Sequence, residues 1–90
     1  MKASDTYEDP NKALLLYSGL EDAFIGSAEG RLGHPPVACY SKRITLKLLQ
    51  KNFRLTEGGA RERYEYEYIR NDFGNATPVF LDDETYPTVS

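Results

Sequence analysis

Two hydrophobic periods alternate along the chain, and the changes from one to the other mark its elements. Residues 13–17, Ala13-Leu14-Leu15-Leu16-Tyr17, form an apolar run suited to a short strand or one helical turn, and the turn-like Ser18-Gly19 closes it. Ala23-Phe24-Ile25-Gly26 reads as a strand, because aromatic and β-branched side chains suit a pleated surface. Gly30 and Gly33 mark a loop, and Pro35-Pro36 enforces extended geometry after it. Val37-Ala38-Cys39-Tyr40 then alternates as a second strand, with Val37 and Cys39 on one face and Ala38 and Tyr40 on the other.

The period lengthens after Ser41, a suitable helix N-cap. Over residues 42–53, Leu46, Leu49 and Phe53 make one apolar stripe, and Ile44 and Leu48 make a second apolar pair. Arg43, Lys47, Lys51 and Arg54 make a separate basic stripe. Gly58-Gly59 breaks the pattern, and Thr56 is a candidate N-cap for the next element. Residues 60–69 fit two periods equally well. Tyr64, Tyr66 and Tyr68 alternate with Glu65 and Glu67 as in a strand. As a helix, the same segment lines up Ala60, Tyr64 and Tyr68 and pairs Arg61 with Glu65 and Arg63 with Glu67. Pro78-Val79-Phe80-Leu81 reads as a last strand with proline at its first position.

Residues 1–12 are expected to be a flexible arm, 13–82 a single α+β domain and 83–90 an acidic tail. The 90 residues allow one domain with a modest core, and an apolar content of 40% argues against disorder. Cys39 cannot form an internal disulfide, being the sole cysteine, and its apolar neighbours favour a packing role. With no apolar leader and no run long enough to span a bilayer, a cytoplasmic protein without membrane contact is expected.

Charge changes the picture more than composition does. The net charge is −3, yet Arg31, Lys42, Arg43, Lys47, Lys51 and Arg54 lie between Glu29 and Glu57 without an acid among them. From Glu57 to Glu84 there are eight acids against Arg61, Arg63 and Arg70. One surface of this kind can dock the other on a second copy, so self-association is expected as well.

Three stretches resemble a family of small uncharacterised proteins from phages and prokaryotes. Glu21-Asp22-Ala23-Phe24-Ile25-Gly26, Pro35-Pro36-Val37-Ala38-Cys39-Tyr40 and Thr77-Pro78-Val79-Phe80-Leu81 are similar to that family's "DAFIG", "PPVAVYD" and "NTPIFL". The similarity spans roughly residues 20–81. A corresponding family segment, "EALEYFEFNVLGA", implies that residues 60–69 are helical. The fold then implied is β-β-α-α-β, a small antiparallel sheet of three or so strands covered by two helices. The chain departs from the family at Glu67-Tyr68-Ile69-Arg70 and at Ser41, where the family has Asn-Val-x-Gly and an acid. The family brings no established activity, so no catalytic residue is carried over.

The residues themselves argue for binding rather than catalysis. His34 is the only histidine, no Cys/His cluster has metal spacing, and the glycines lack phosphate-loop form. No enzyme activity, cofactor or metal is therefore expected. Seven tyrosines and no tryptophan exceed what a core this small can hide. Tyr64, Tyr66 and Tyr68 cannot all face inward from one helix, so the candidate partner-binding surface is Arg63, Tyr64, Glu65, Tyr66, Glu67 and Tyr68. The first expectation is a small phage-type accessory protein that binds and inhibits a host protein in the host cytoplasm, anti-CRISPR action being one form. The alternative is a nucleic-acid-binding module using Arg43, Lys47, Lys51 and Arg54.

Overall fold

The structure is a computed structural model and describes residues 6–9, 14–29, 32–72 and 74–84. It is an α+β fold with two small sheets and two helices. Strands β1 (Thr6–Asp9) and β2 (Leu14–Tyr17) pair antiparallel as a hairpin, with Tyr7 opposite Leu16. Part of the expected arm is thus a strand, and Leu14–Tyr17 of the apolar run after it is extended rather than helical. Pairing explains both: β2 presents Leu14 and Tyr17 to the core, and β1 satisfies its backbone.

Strands β3 (Phe24–Ala28), β4 (Val37–Ser41) and β5 (Val79–Leu81) form the second sheet in that order. β3 and β4 are antiparallel, with a bulge between Phe24 and Gly26. β4 and β5 run parallel, matching Tyr40 with Phe80, which corrects the expectation of an antiparallel sheet. The reason lies in the connection. Two helices intervene between β4 and β5, and a crossover of this length permits a parallel return that a short turn cannot make.

Helix α1 (Lys42–Phe53) starts at the Ser41 cap, whose Oγ accepts the Ile44 N–H at 3.1 Å. It ends at Arg54 in the left-handed conformation, φ 54°. Helix α2 (Glu57–Tyr64) starts at Thr56, whose Oγ1 accepts the Gly59 N–H at 3.1 Å. α2 continues as a π-helical turn over Glu65–Ile69, closed by the Arg70 N–H donating to the Glu65 carbonyl at 3.3 Å. Residues 60–69 are therefore helical, with one turn widened.

The core forms where Ala38 and Tyr40 of β4 meet Leu46 and Leu49 of α1 and Ala60, Tyr64 and Tyr68 of the second helical segment. Phe80 of β5 sits among the rings of Tyr17, Tyr40, Tyr64 and Tyr68, with centroids 5.2–5.8 Å away. Such offset and edge-to-face pairs each add about 0.5–1.5 kcal/mol beyond area burial. Cys39 is only half-buried, on the face of β4 away from the buried Ala38 and Tyr40.

Candidate functional site: the exposed faces of the two helical segments

The helical register divides the candidate tyrosine surface. Tyr64 and Tyr68, four residues apart, are 4% and 3% exposed, whereas Tyr66 is 70% exposed. Two residues along a helix turn the side chain to the opposite side, so burying Tyr64 and Tyr68 necessarily expels Tyr66. Burial pushes the Tyr64 and Tyr68 hydroxyls well above the usual tyrosine range, with nearby acids adding to the effect. Both stay neutral in the core and present no surface. Asn71 Nδ2 donates to the Glu67 carbonyl beyond the widened turn, anchoring its end.

The remaining candidates lie around Tyr66. Arg63 Nε donates to Glu67 Oε2 at 3.0 Å, and its guanidinium lies over the Phe53 ring, 4.0 Å from the centroid. The guanidinium of Arg70 lies 5.8 Å from the Tyr66 ring centroid. Leu55, Gly59, Glu62, Arg63, Tyr66 and Glu67 line an open groove of about 440 Å³. Glu65 is exposed. The structure thus brings Arg63, Tyr66 and Glu67 together around one groove and leaves Tyr64 and Tyr68 beneath it. Leu55, Gly59 and Glu62 were not among the sequence candidates. Gly59, Glu62, Arg63, Tyr66 and Glu67 fall at i, i+3, i+4, i+7 and i+8 on one helix face, so helical spacing is the signal that could have found Gly59 and Glu62, whereas Leu55 comes from the turn before α2.

Arg43, Lys47, Lys51 and Arg54 are all exposed, and none of their side chains makes an ion pair among the described residues. Lys42, Arg61 and Arg63 are paired, Arg63 with Glu67. Glu84 meets Lys42 at 3.5 Å and Arg61 at 2.5 Å, and Glu57 meets Arg61 at 3.2 Å. The hydrogen bond from Arg61 holds the Glu84 carboxyl below its ordinary value. Asp83 caps α1 from outside the helix: it accepts the Ser41 hydroxyl and, at 2.8 Å, the Arg43 N–H. Burial works against its charge, yet these bonds hold Asp83 below the usual carboxylate range. Asp83 and Glu84, expected to begin an exposed tail, tie β5 to both helices instead. The remainder of that segment, 85–90, lies outside the described residues. Glu57, Glu67, Asp83 and Glu84, acids that a second copy's basic stripe would meet, are already engaged internally.

His34 is exposed, and no group of three or more His, Cys, Asp or Glu side chains among the described residues could hold a metal ion. No helix among them is long and apolar enough to cross a membrane. Compared with known proteins, the chain matches no family model, no curated protein and no solved structure.

Proposed function

We propose that this protein acts by binding another protein through the groove beside Tyr66. The observation that carries the reading is a tyrosine left 70% exposed on a helical segment whose neighbours at both sides, Tyr64 and Tyr68, are locked in the core. A rigid mounting lowers the entropy lost on binding, and tyrosine and arginine are the side chains that most often dominate interface energetics. Arg63 is held in place by Phe53 and Glu67, so both anchors are positioned before a partner arrives. The resemblance to phage proteins adds a direction: the partner is a host protein and the effect is inhibitory, blockade of a CRISPR effector being one form.

The test is affinity capture from host lysate with the native chain and with Tyr66→Ala. A stoichiometric partner retained by the native chain and lost with Tyr66→Ala is expected. A partner captured equally by both, or none by either, overturns the reading.

A second reading has its own support in the four exposed cations of α1 and its C-cap, which make no ion pair among the described residues. Four phosphate contacts on a duplex would give a log–log salt slope of about −3.6. A mobility-shift assay at ~50 mM salt tests it, since phosphate contacts are strongest when salt is low. A retarded complex whose affinity follows that slope favours nucleic-acid binding, and no retardation removes it.

A further inference from the structure

A second recess lies where the N-terminal hairpin meets the three-stranded sheet. Three features of the chain build it. Strand pairing sets Tyr7 opposite Leu16 in β1–β2 and Phe24 opposite Tyr40 in β3–β4. The short 3-10 turn Glu21–Ala23 joins the two sheets and supplies Glu21. These five residues line a recess of about 120 Å³, roughly the bulk volume of four water molecules.

Three rings and Leu16 line it with one acid, Glu21. Phe24 and Tyr40 meet edge to face, with centroids 5.6 Å apart. The Tyr40 ring is buried and pinned, because its hydroxyl accepts the Tyr17 N–H at 2.9 Å. Burial pushes that hydroxyl up to about 12, so it adds no charge at neutral pH. Tyr7 and Phe24 keep 44% and 36% of their surface exposed. Glu21 Oε2 accepts the Gly19 N–H at 2.8 Å, an amide oriented by a turn with φ +88° that favours glycine. Glu21 makes no ion pair among the described residues. No Lys or Arg occurs between Lys12 and Arg31, whereas Glu21, Asp22 and Glu29 do.

We propose that this recess binds the guanidinium of an arginine side chain presented by a partner protein. Aromatic faces attract cations, most often arginine, through the negative charge of their π-clouds. Guanidinium is planar and weakly hydrated, so it stacks on rings at less desolvation cost than an ammonium. The Glu21 carboxylate, already oriented by the Gly19 amide, accepts a charge-assisted hydrogen bond from it. The site stands apart from the Tyr66 groove and does not depend on it.

The experiment is an NMR titration of the full chain with a blocked Gly-Arg-Gly peptide, following the Tyr7 and Phe24 ring protons. The matched citrulline peptide has nearly the same shape without the charge, and the lysine peptide carries the charge on an ammonium. Saturable shifts with the arginine peptide are expected, with citrulline and lysine each at least about five-fold weaker, equivalent to about 1 kcal/mol. Glu21→Gln, a change at an exposed position, is expected to weaken arginine binding by about five-fold while leaving the amide spectrum otherwise intact. Phe24→Leu is expected to act similarly, and Tyr66→Ala to leave binding unchanged. Equal binding of citrulline, undiminished binding by Glu21→Gln, or no saturable shift up to ~50 mM peptide, well past a millimolar Kd, overturns the proposal.

Discussion

The two helical segments are both rich in charge but dispose of it in opposite ways. The exposed cations of α1 at Arg43, Lys47 and Lys51, with Arg54 at its cap, make no ion pair among the described residues. In α2 and the π-turn, Arg61 and Arg63 are bound by Glu57, Glu67 and Glu84. Bulk charge in the second segment is thus largely internal structure, and what it offers a partner is Tyr66 and the groove. In α1 Leu46 and Leu49 are buried, and what the helix offers is its cations together with Phe53, which stays 38% exposed under Arg63. The contrast teaches that a charged stripe becomes a surface feature only where the fold supplies no counter-ion.

The largest expected effect tests the division of the tyrosines. Tyr68→Ala should cost about 3–5 kcal/mol of stability, the range for emptying a buried aromatic site, and Tyr66→Ala should stay within about 0.5 kcal/mol. Urea denaturation of the two variants checks it, and similar losses for both would break the comparison.

Next comes the acidic strap. Asp83→Ala removes the acceptor for the Ser41 hydroxyl and the Arg43 N–H, and a loss of about 1–2 kcal/mol is expected. The native chain also carries a pH signature. The Asp83 and Glu84 carboxyls are held below their unfolded values of 3.8 and 4.5, so their stabilisation is fully present above those values. It is lost as pH falls through the lower folded values. Acid titration of unfolding free energy should therefore fall less steeply for Asp83→Asn than for the native chain.

A smaller effect of opposite sign is expected at the helix end. Arg54 adopts φ 54°, a conformation that costs a side-chain-bearing residue about 1–2 kcal/mol and that glycine adopts freely. Arg54→Gly should raise stability by up to about 1 kcal/mol, the relieved strain being partly offset by the entropy of glycine. It also removes one cation of the basic stripe, so any salt-dependent binding should weaken as stability rises. Thermal unfolding and mobility shift on the same variant separate the two. The smallest effect belongs to Lys47→Ala and Lys51→Ala, which should each change stability by less than about 0.5 kcal/mol. A larger loss in a denaturant titration would mean that the stripe has partners within the fold.

Much of the fold was legible in the sequence because it rests on local rules. Ser41 and Thr56 cap helices at the positions their types suggest, and Val37-Ala38-Cys39-Tyr40 alternates as a strand should. The exposed basic stripe also followed from helical spacing. The pattern of residues 60–69 fitted strand and helix alike, and resemblance rather than periodicity favoured the helix. Other features were not local. β1 lies in a polar segment with no strand pattern of its own and exists through pairing with β2. The parallel match of Phe80 with Tyr40 depends on where two helices return the chain.

By itself, then, the sequence determined the caps, the turn positions, the strand and helix periods and the uneven charge, because each depends on neighbours within a turn or two of the chain. Only the tertiary structure decided which charges matter outside the molecule and which rings do. Glu84 reaches Arg61 across 23 positions, and Asp83 reaches Ser41 across 42. Those long-range contacts engage Asp83 and Glu84 of the acidic C-terminal third, while core packing around Phe80 buries two tyrosines and leaves Tyr66 in solvent. The physical reason is that pairing and burial are properties of space, and separation along the chain does not report them.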